Sequence, residues 1–298
     1  MNQNHQATIA RTEMSNEAET TDEKVRSLRA LLQSMESVLV SFSGGVDSAL
    51  LLKIAYEELG DRAVAATGLS GSYAPEEMED AAEVALAIGA KHVIVSTMEL
   101  TDSRYADNTH QRCFFCKTEL YGKLRETANE LGLREVIDGS NADDVGDFRP
   151  GMRAAKDLRV LSPLLDVGLT KKEIRALSRE YGLKTWDKPA AACLSSRFAY
   201  GDPITVEKLK QVAAAESFLR SLGYRGFRVR HHGDVARLEF PVELIPELLE
   251  RRDEVTAGVK AAGYQYVAID LDGYRLGSMN EVLNARLQQG GLRRSSAV

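Results

Sequence analysis

The chain has 298 residues, a formal net charge of −6, 44% apolar residues and 28% charged residues. This is ordinary soluble globular composition, long enough for one large domain or two of usual size. No segment approaches about 18 consecutive apolar residues, which argues against a membrane-spanning helix, and the acidic balance argues against a nucleic-acid binder, which relies on a basic excess.

Residues 1–22 read as a polar, disordered tail with no apolar core of a secretory signal. From there short β-rich runs alternate with amphipathic stretches. "SVLVSF" (37–42) predicts a strand and "VDSALLLKIAYEEL" (46–59) a helix. A strand over 63–68, a helix over 75–89, a strand over 91–97, a helix over 114–132 and a strand over 135–140 follow. A fifth strand is expected within 160–166. Thr170 caps a helix over 170–182, with Glu173 completing a capping box. Strands alternating with helices of this length imply an α/β fold with a parallel, Rossmann-like sheet covered by helices on both faces.

The rhythm changes near residue 200, and a boundary is expected around 185–203. A helix over 205–223, a hairpin turning at His232-Gly233-Asp234, a helix near 242–262 and a strand over 264–270 suggest a smaller α+β domain. The expected division is 23–190 for the first domain, 200–283 for the second, and a tail over 284–298.

"SFSGGVDS" sits between a buried strand and a helix start, where open α/β sheets bind ligands. Gly44 and Gly45 permit a tight turn and close approach of an oxyanion. The helix N-terminus attracts phosphate, and Ser43 and Ser48 add hydroxyl donors. Asp47 beside a phosphate site makes sense with a bridging Mg²⁺. No lysine stands in the motif, so it is not a Walker A loop. The bland alternative is a glycine turn with a Ser/Asp cap.

Cysteine is scarce: Cys113, Cys116 and Cys193. An odd number makes a poor disulfide framework and suits a reducing cytoplasm. Cys113 and Cys116 have C-x₂-C spacing at a helix start, where the dipole and Arg112 lower a thiol pKa; Arg197 stands near Cys193. His110 with three cysteines fits zinc, three thiolates fit a [4Fe–4S] cluster with one open iron, and three inert core thiols are the bland alternative.

Ser43 to Ser48 resemble the PP-loop pyrophosphatase signature, Ser-Gly-Gly-x-Asp-Ser, at every fixed position. The resemblance implies that ATP is split between its α and β phosphates, and that adenine lies near Thr67 to Leu69, including Gly68. The segments at 138–151, 194–205, 228–239 and 266–280 narrow the likeness. Together they resemble the LarE family, ATP-dependent sulfur transferases of nickel-pincer nucleotide biosynthesis, over roughly residues 25 to 283.

That resemblance implies adenylylation of a carboxylate on a small nucleotide-like substrate, pyridinium-3,5-dicarboxylic acid mononucleotide. Sulfur then displaces AMP and leaves a thiocarboxylate. One branch of the family sacrifices a cysteine sulfur. Another has three cysteines thought to hold an iron–sulfur cluster, the pattern of Cys113, Cys116 and Cys193. It also implies ATP and Mg²⁺ as cofactors, a cytoplasmic homo-oligomer, and a metal site including Glu216, Glu239 and Glu247. For these glutamates a solvated face is the better reading. Arg228 and Arg230 alternate on a strand and suit the substrate phosphate, and Arg197 suits a carboxylate or phosphate. Asp143 and Asp144 follow a strand end, where they can assist Mg²⁺ or cap a helix.

Competing readings are a tRNA thiolase with the same loop and cysteine pattern, an ATP-dependent amidase of the NAD-synthetase or GMP-synthetase type, and an ATP-sensing module with structural zinc. The charge balance counts against the first, since polyanion binding rests on Lys and Arg. The second has no use for three thiols.

Overall fold

The computed structural model describes residues 20–71, 75–145, 150–189, 192–275 and 278. Most of the two expected tails lies outside them. Their inner edge is a correction: residues 21 and 22 already belong to a helix, α1 (Thr21–Met35). Thr20 and Glu23 form a capping box, and Leu28, Leu32 and Met35 are buried. The polar start of this stretch masks its apolar stripe.

The chain continues through β1 (Val38–Ser41), α2 (Val46–Leu59), β2 (Ala63–Leu69), α3 (Pro75–Ile88) and β3 (Lys91–Ser96). A short α4 (Ser103–Ala106) precedes the long α5 (Arg112–Glu130) and β4 (Glu135–Ile137). The strands form a parallel sheet in the order β3-β2-β1-β4. Val38, Leu39 and Val40 are fully buried, as a strand covered on both faces requires. Val38 and Val40 face one core with Leu28, Leu32 and Leu50. Leu39 faces the other with Tyr121, Leu124 and Val136.

After α6 (Pro150–Asp157) the expected fifth strand is reduced to one bridge between Ile137 and Leu161. Pro163 has no N–H for a sheet ladder and instead opens α7 (Pro163–Asp166). The predicted α8 follows as Lys171–Glu180, with its capping box in place.

The remaining elements are α9 (Val206–Ser221), β5 (Arg228–His232), β6 (Val235–Glu239), α10 (Ile245–Glu250), α11 (Arg252–Ala261) and β7 (Tyr266–Ile269). The hairpin joins β5 to β6, while β6 pairs with β7 in parallel. The single helix expected near 242–262 is two, broken at Arg251. A separate core holds Phe227, Val229, Leu238, Phe240 and Val259. A seam of Tyr105, Leu194, Phe198, Ile204, Leu209 and Val212 joins this region to α4 and α5.

Phe198 is 1% exposed at the centre of that seam and lies 5.1 Å, centroid to centroid, from His231. Phe198→Ala is expected to cost about 3–5 kcal/mol. A urea titration checks this: the midpoint should fall while the slope stays nearly unchanged.

Candidate functional site

β1 and β4 are the neighbours at which the sheet order reverses, and ligands of open α/β sheets lie outside the carboxyl ends of such strands. The serine-glycine loop leaves β1 at this point. Gly45 caps α2 without a side-chain hydrogen bond, so the first N–H groups remain available to an anion. Gly44 has φ +66°, and a Cβ there would stand 2.8 Å from the Ala81 Cα. Glycine is therefore demanded both by backbone conformation and by space. The Ser43 and Ser48 hydroxyls lie 3.1 Å apart, and Gly45 N–H donates to Ser43 Oγ at 3.3 Å.

The loop after β4 forms the opposite wall. A Cβ on Gly139 would lie 3.0 Å from the Ser48 nitrogen. Asn141 Nδ2 donates to Asp47 Oδ1 at 3.2 Å. Asp138 accepts from Tyr121 Oη at 2.7 Å and from Ser162 Oγ at 2.8 Å. Asp143 accepts from the Lys171 N–H at 2.7 Å and Asp144 from the Asn141 N–H at 3.0 Å, so both serve as caps here.

The motif holds no lysine, but the fold brings two to it. Lys171 forms an ion pair with Asp47. Lys188 Nζ lies 2.9 Å from Asp80 and 3.4 Å from Gly44 O. Lys171 is held from behind. Burial opposes ionisation of Glu173, but hydrogen bonds from Thr170, Lys24 and Thr21 outweigh it and lower this carboxyl to about 2. The charged Glu173 caps Thr170 and so fixes the first turn carrying Lys171. The capping box was a sequence signal for the helix start but not for the long-range partner of Lys171.

Gly68, one residue from the end of β2, lies against α5, where a Cβ would meet Leu120 Cδ1 at 2.6 Å. Beside it the buried Thr67 hydroxyl donates to Phe42 O at 2.8 Å and bonds His92 Nε2 at 2.7 Å.

Cys113 and Cys116 occupy the first turns of α5, and Cys193 precedes a short turn over Leu194–Arg197. Cys113 and Cys193 reach solvent and Cys116 is half-buried. Desolvation by the surrounding protein, then the nearby Cys193, pushes Cys113 and Cys116 above the ordinary thiol range. Arg112 acts in the expected direction on Cys113 but is outweighed. Among the described residues no group of three or more His, Cys, Asp or Glu side chains converges to hold a metal ion.

The arginines expected for substrate have different settings. Arg197 is 3% exposed and forks onto Glu216 at 2.8 and 2.9 Å. Arg230 is buried against Glu239 at 2.6 Å, and Arg237 shares that carboxylate at 2.9 Å. Arg228 is half-buried over the Tyr274 ring at 5.1 Å. Burial, then Arg197, lowers its pKa from the ordinary guanidinium value. The solvated face expected for the three glutamates holds for Glu247, exposed on α10, but Glu216 and Glu239 are buried, because each is paired with an arginine.

A sequence model described as asparagine synthase matches residues 21–123. The chain is 38% identical to the pyridinium-3,5-bisthiocarboxylic acid mononucleotide synthase of Lactiplantibacillus plantarum, over 87% of this chain and 95% of that protein. It is 45% identical to an uncharacterised protein of Synechocystis, over 88% of this chain and 98% of the relative. A tRNA-specific 2-thiouridylase of Rickettsia felis is 28% identical over 51% of this chain and 52% of its own.

The raised thiols give a measurable expectation. At about pH 8.5, where a free cysteine is half ionised, iodoacetamide should modify Cys116 more slowly than free cysteine. Its rate should continue to climb above that pH, because the thiol form persists further into alkali. Peptide mass spectrometry across the pH range reads this directly.

Proposed function

The chain belongs to the LarE family of pyridinium-3,5-bisthiocarboxylic acid mononucleotide synthases, and on that premise we propose that it activates a carboxylate of a pyridinium dicarboxylate mononucleotide with ATP and replaces an oxygen by sulfur. The observation that carries this reading is the match along nearly the whole length of a synthase with that name. The geometry supports it. One helix, α5, carries Cys113 and Cys116 at its start, and Leu120 and Tyr121 further along. Those two pack against Gly68 and bond Asp138 at the crevice. Tyr121 lies five residues beyond Cys116, about 7.5 Å along the helix axis. The thiols and the β4 side of the crevice, through Asp138, therefore share one helix as a common wall.

In this reading the open N–H groups of α2, with Ser43 and Ser48, hold the phosphates. Lys171 supplies a positive charge beside them. Asp47 is an oxygen donor of the kind Mg²⁺ takes, and bound Mg²⁺ would neutralise charge on the departing pyrophosphate. A substrate carboxylate oxygen attacks the α-phosphorus and pyrophosphate leaves. A sulfur nucleophile then attacks the carbonyl carbon, and the activated oxygen departs on AMP. A free carboxylate would have to expel oxide, so activation must come first. We assign the substrate phosphate to Arg228, with Arg230 behind it on the same face of β5. Arg197 is committed to Glu216.

For the sulfur source we assign Cys113, Cys116 and Cys193 together as the holders of a [4Fe–4S] cluster. Cys193 stands close enough to raise the pKa of both Cys113 and Cys116, and a cationic iron centre would relieve that repulsion. Such a cluster would supply sulfide at its open iron. Sacrifice of Cys193 is the second reading, favoured by its exposure. The thiouridylase match covers only half of either chain, and the asparagine synthase match stops at residue 123. Three free thiols support a cytoplasmic setting, and the edge strand β7, with Tyr266 63% exposed, supports a homo-oligomer.

Asp47→Ala should abolish Mg²⁺-dependent pyrophosphate release while circular dichroism stays unchanged. Orthophosphate as the product of the native enzyme would overturn the AMP-forming reading. Replacing any one cysteine by alanine should lower bound iron and remove thiocarboxylate formation, and Cys193 should keep its mass after turnover. Active Cys113→Ala and Cys116→Ala proteins, with Cys193 converted to dehydroalanine, would establish sacrifice instead.

A further inference from the structure

We infer that Glu216 is a positioning residue: through Arg197 it holds the turn bearing Cys193, and through the Val229 N–H it ties that turn to the strand bearing Arg228 and Arg230. Glu216 projects from α9 and is 1% exposed. Its Oε1 accepts from Arg197 Nε at 2.8 Å and Val229 N at 3.1 Å. Its Oε2 accepts from Arg197 Nη2 at 2.9 Å and Arg220 Nη1 at 3.4 Å. A carboxylate has about four acceptor sites, so these donors use its capacity. Little remains for a metal ion, which is the role that family likeness suggests for this position.

The other end of Arg197 shows what the pairing achieves. Its Nη1 sits inside the 192–196 turn and donates to Ala192 O, to Cys193 O at 3.0 Å and to Ser196 Oγ at 3.0 Å. Two more buried arginines reach the same turn. Arg112, beside Cys113 on α5, donates to Ser195 O at 2.7 Å, and Arg230 donates to Ser196 O at 2.9 Å. The turn has little regular structure of its own and is shaped by guanidinium groups from three places. Without Glu216, Arg197 would be a buried charge lacking its hydrogen-bonded carboxylate, with Glu77 as a remaining acid nearby, and such a charge reorients toward water or another anion. The carbonyls flanking Cys193 would then lose their donor. The importance of this for sulfur delivery rests on the function proposed above; the positioning itself does not.

The test uses the reduced, cluster-free full chain and compares iodoacetamide modification of Cys193 and Cys113 in the native protein, Glu216→Gln and Arg197→Lys. Glutamine keeps the shape and removes the charge; lysine keeps the charge and removes the fork. In both variants Cys193 modification should accelerate by roughly tenfold or more, the scale of one lost charge-assisted hydrogen bond. Hydrogen exchange should quicken over 192–198, while Cys113 changes less than about twofold on that scale. Unchanged Cys193 reactivity in either folded variant overturns the inference. So does an equal rise at Cys113, which marks general loosening, or a rise in native protein treated with EDTA alone, which marks a metal at Glu216. If the positioning holds but the variants still form thiocarboxylate at the native rate, the assignment of Cys193 to sulfur delivery is what fails.

Discussion

The position of β1 in the middle of a parallel sheet governs most of this structure. The chain leaves it first toward β2 and β3, then returns to place β4 on the other side. Connections running in opposite directions cannot both cover its carboxyl end, so a crevice opens there. Everything assigned to ATP follows from that gap: the uncapped start of α2, the close approach of Gly139, and the arrival of Lys171 opposite Asp47. The loop chemistry needs a backbone that only glycine adopts at residue 44, and the tight contact with Ala81 makes α3 part of the loop's support.

The sulfur end is built on a different principle. Desolvated ions there are costly, and their compensation is what gives the region its shape. Arg197 with Glu216 and Arg230 with Glu239 are almost completely buried pairs, and each contacts the 192–196 turn or the strand behind it. Arranged this way, ion pairs supply geometry more than net stability. The apolar seam around Phe198 supplies the adhesion, and the arginines set the register of the turn upon it.

Periodicity and capping made the first sheet, its helices and the phosphate loop legible, because a buried parallel strand and a glycine-rich helix start are local patterns. The helix over 21–35 was hidden by the polar sequence at its start, and the fifth strand disappeared because Pro163 favours a helix start. Lys171 was invisible as a neighbour of the serine-glycine loop, since its partner Asp47 lies far away in sequence. The thiols show the same limit. The sequence suggested lowered pKa values from Arg112 and the helix dipole, but desolvation, a property of the folded chain, is the stronger influence at Cys113 and Cys116. Arg228 and Arg230 were rightly placed on one strand, whereas the burial of Arg230 against Glu239 depends on β6.

The seam also imposes an order of assembly. Cys113 and Cys116 lie on a helix whose sheet is complete by residue 137, whereas the turn bearing Cys193 is shaped by Glu216 and Arg230, which emerge later in synthesis. A nascent chain can thus fold its nucleotide half first, with only two of the three thiols near one another. The third joins them when α9 and β5 dock. Maturation of the thiol region is thereby tied to completion of the chain, and a ribosome-bound fragment ending before α9 would carry the serine-glycine loop without an anchored Cys193 turn.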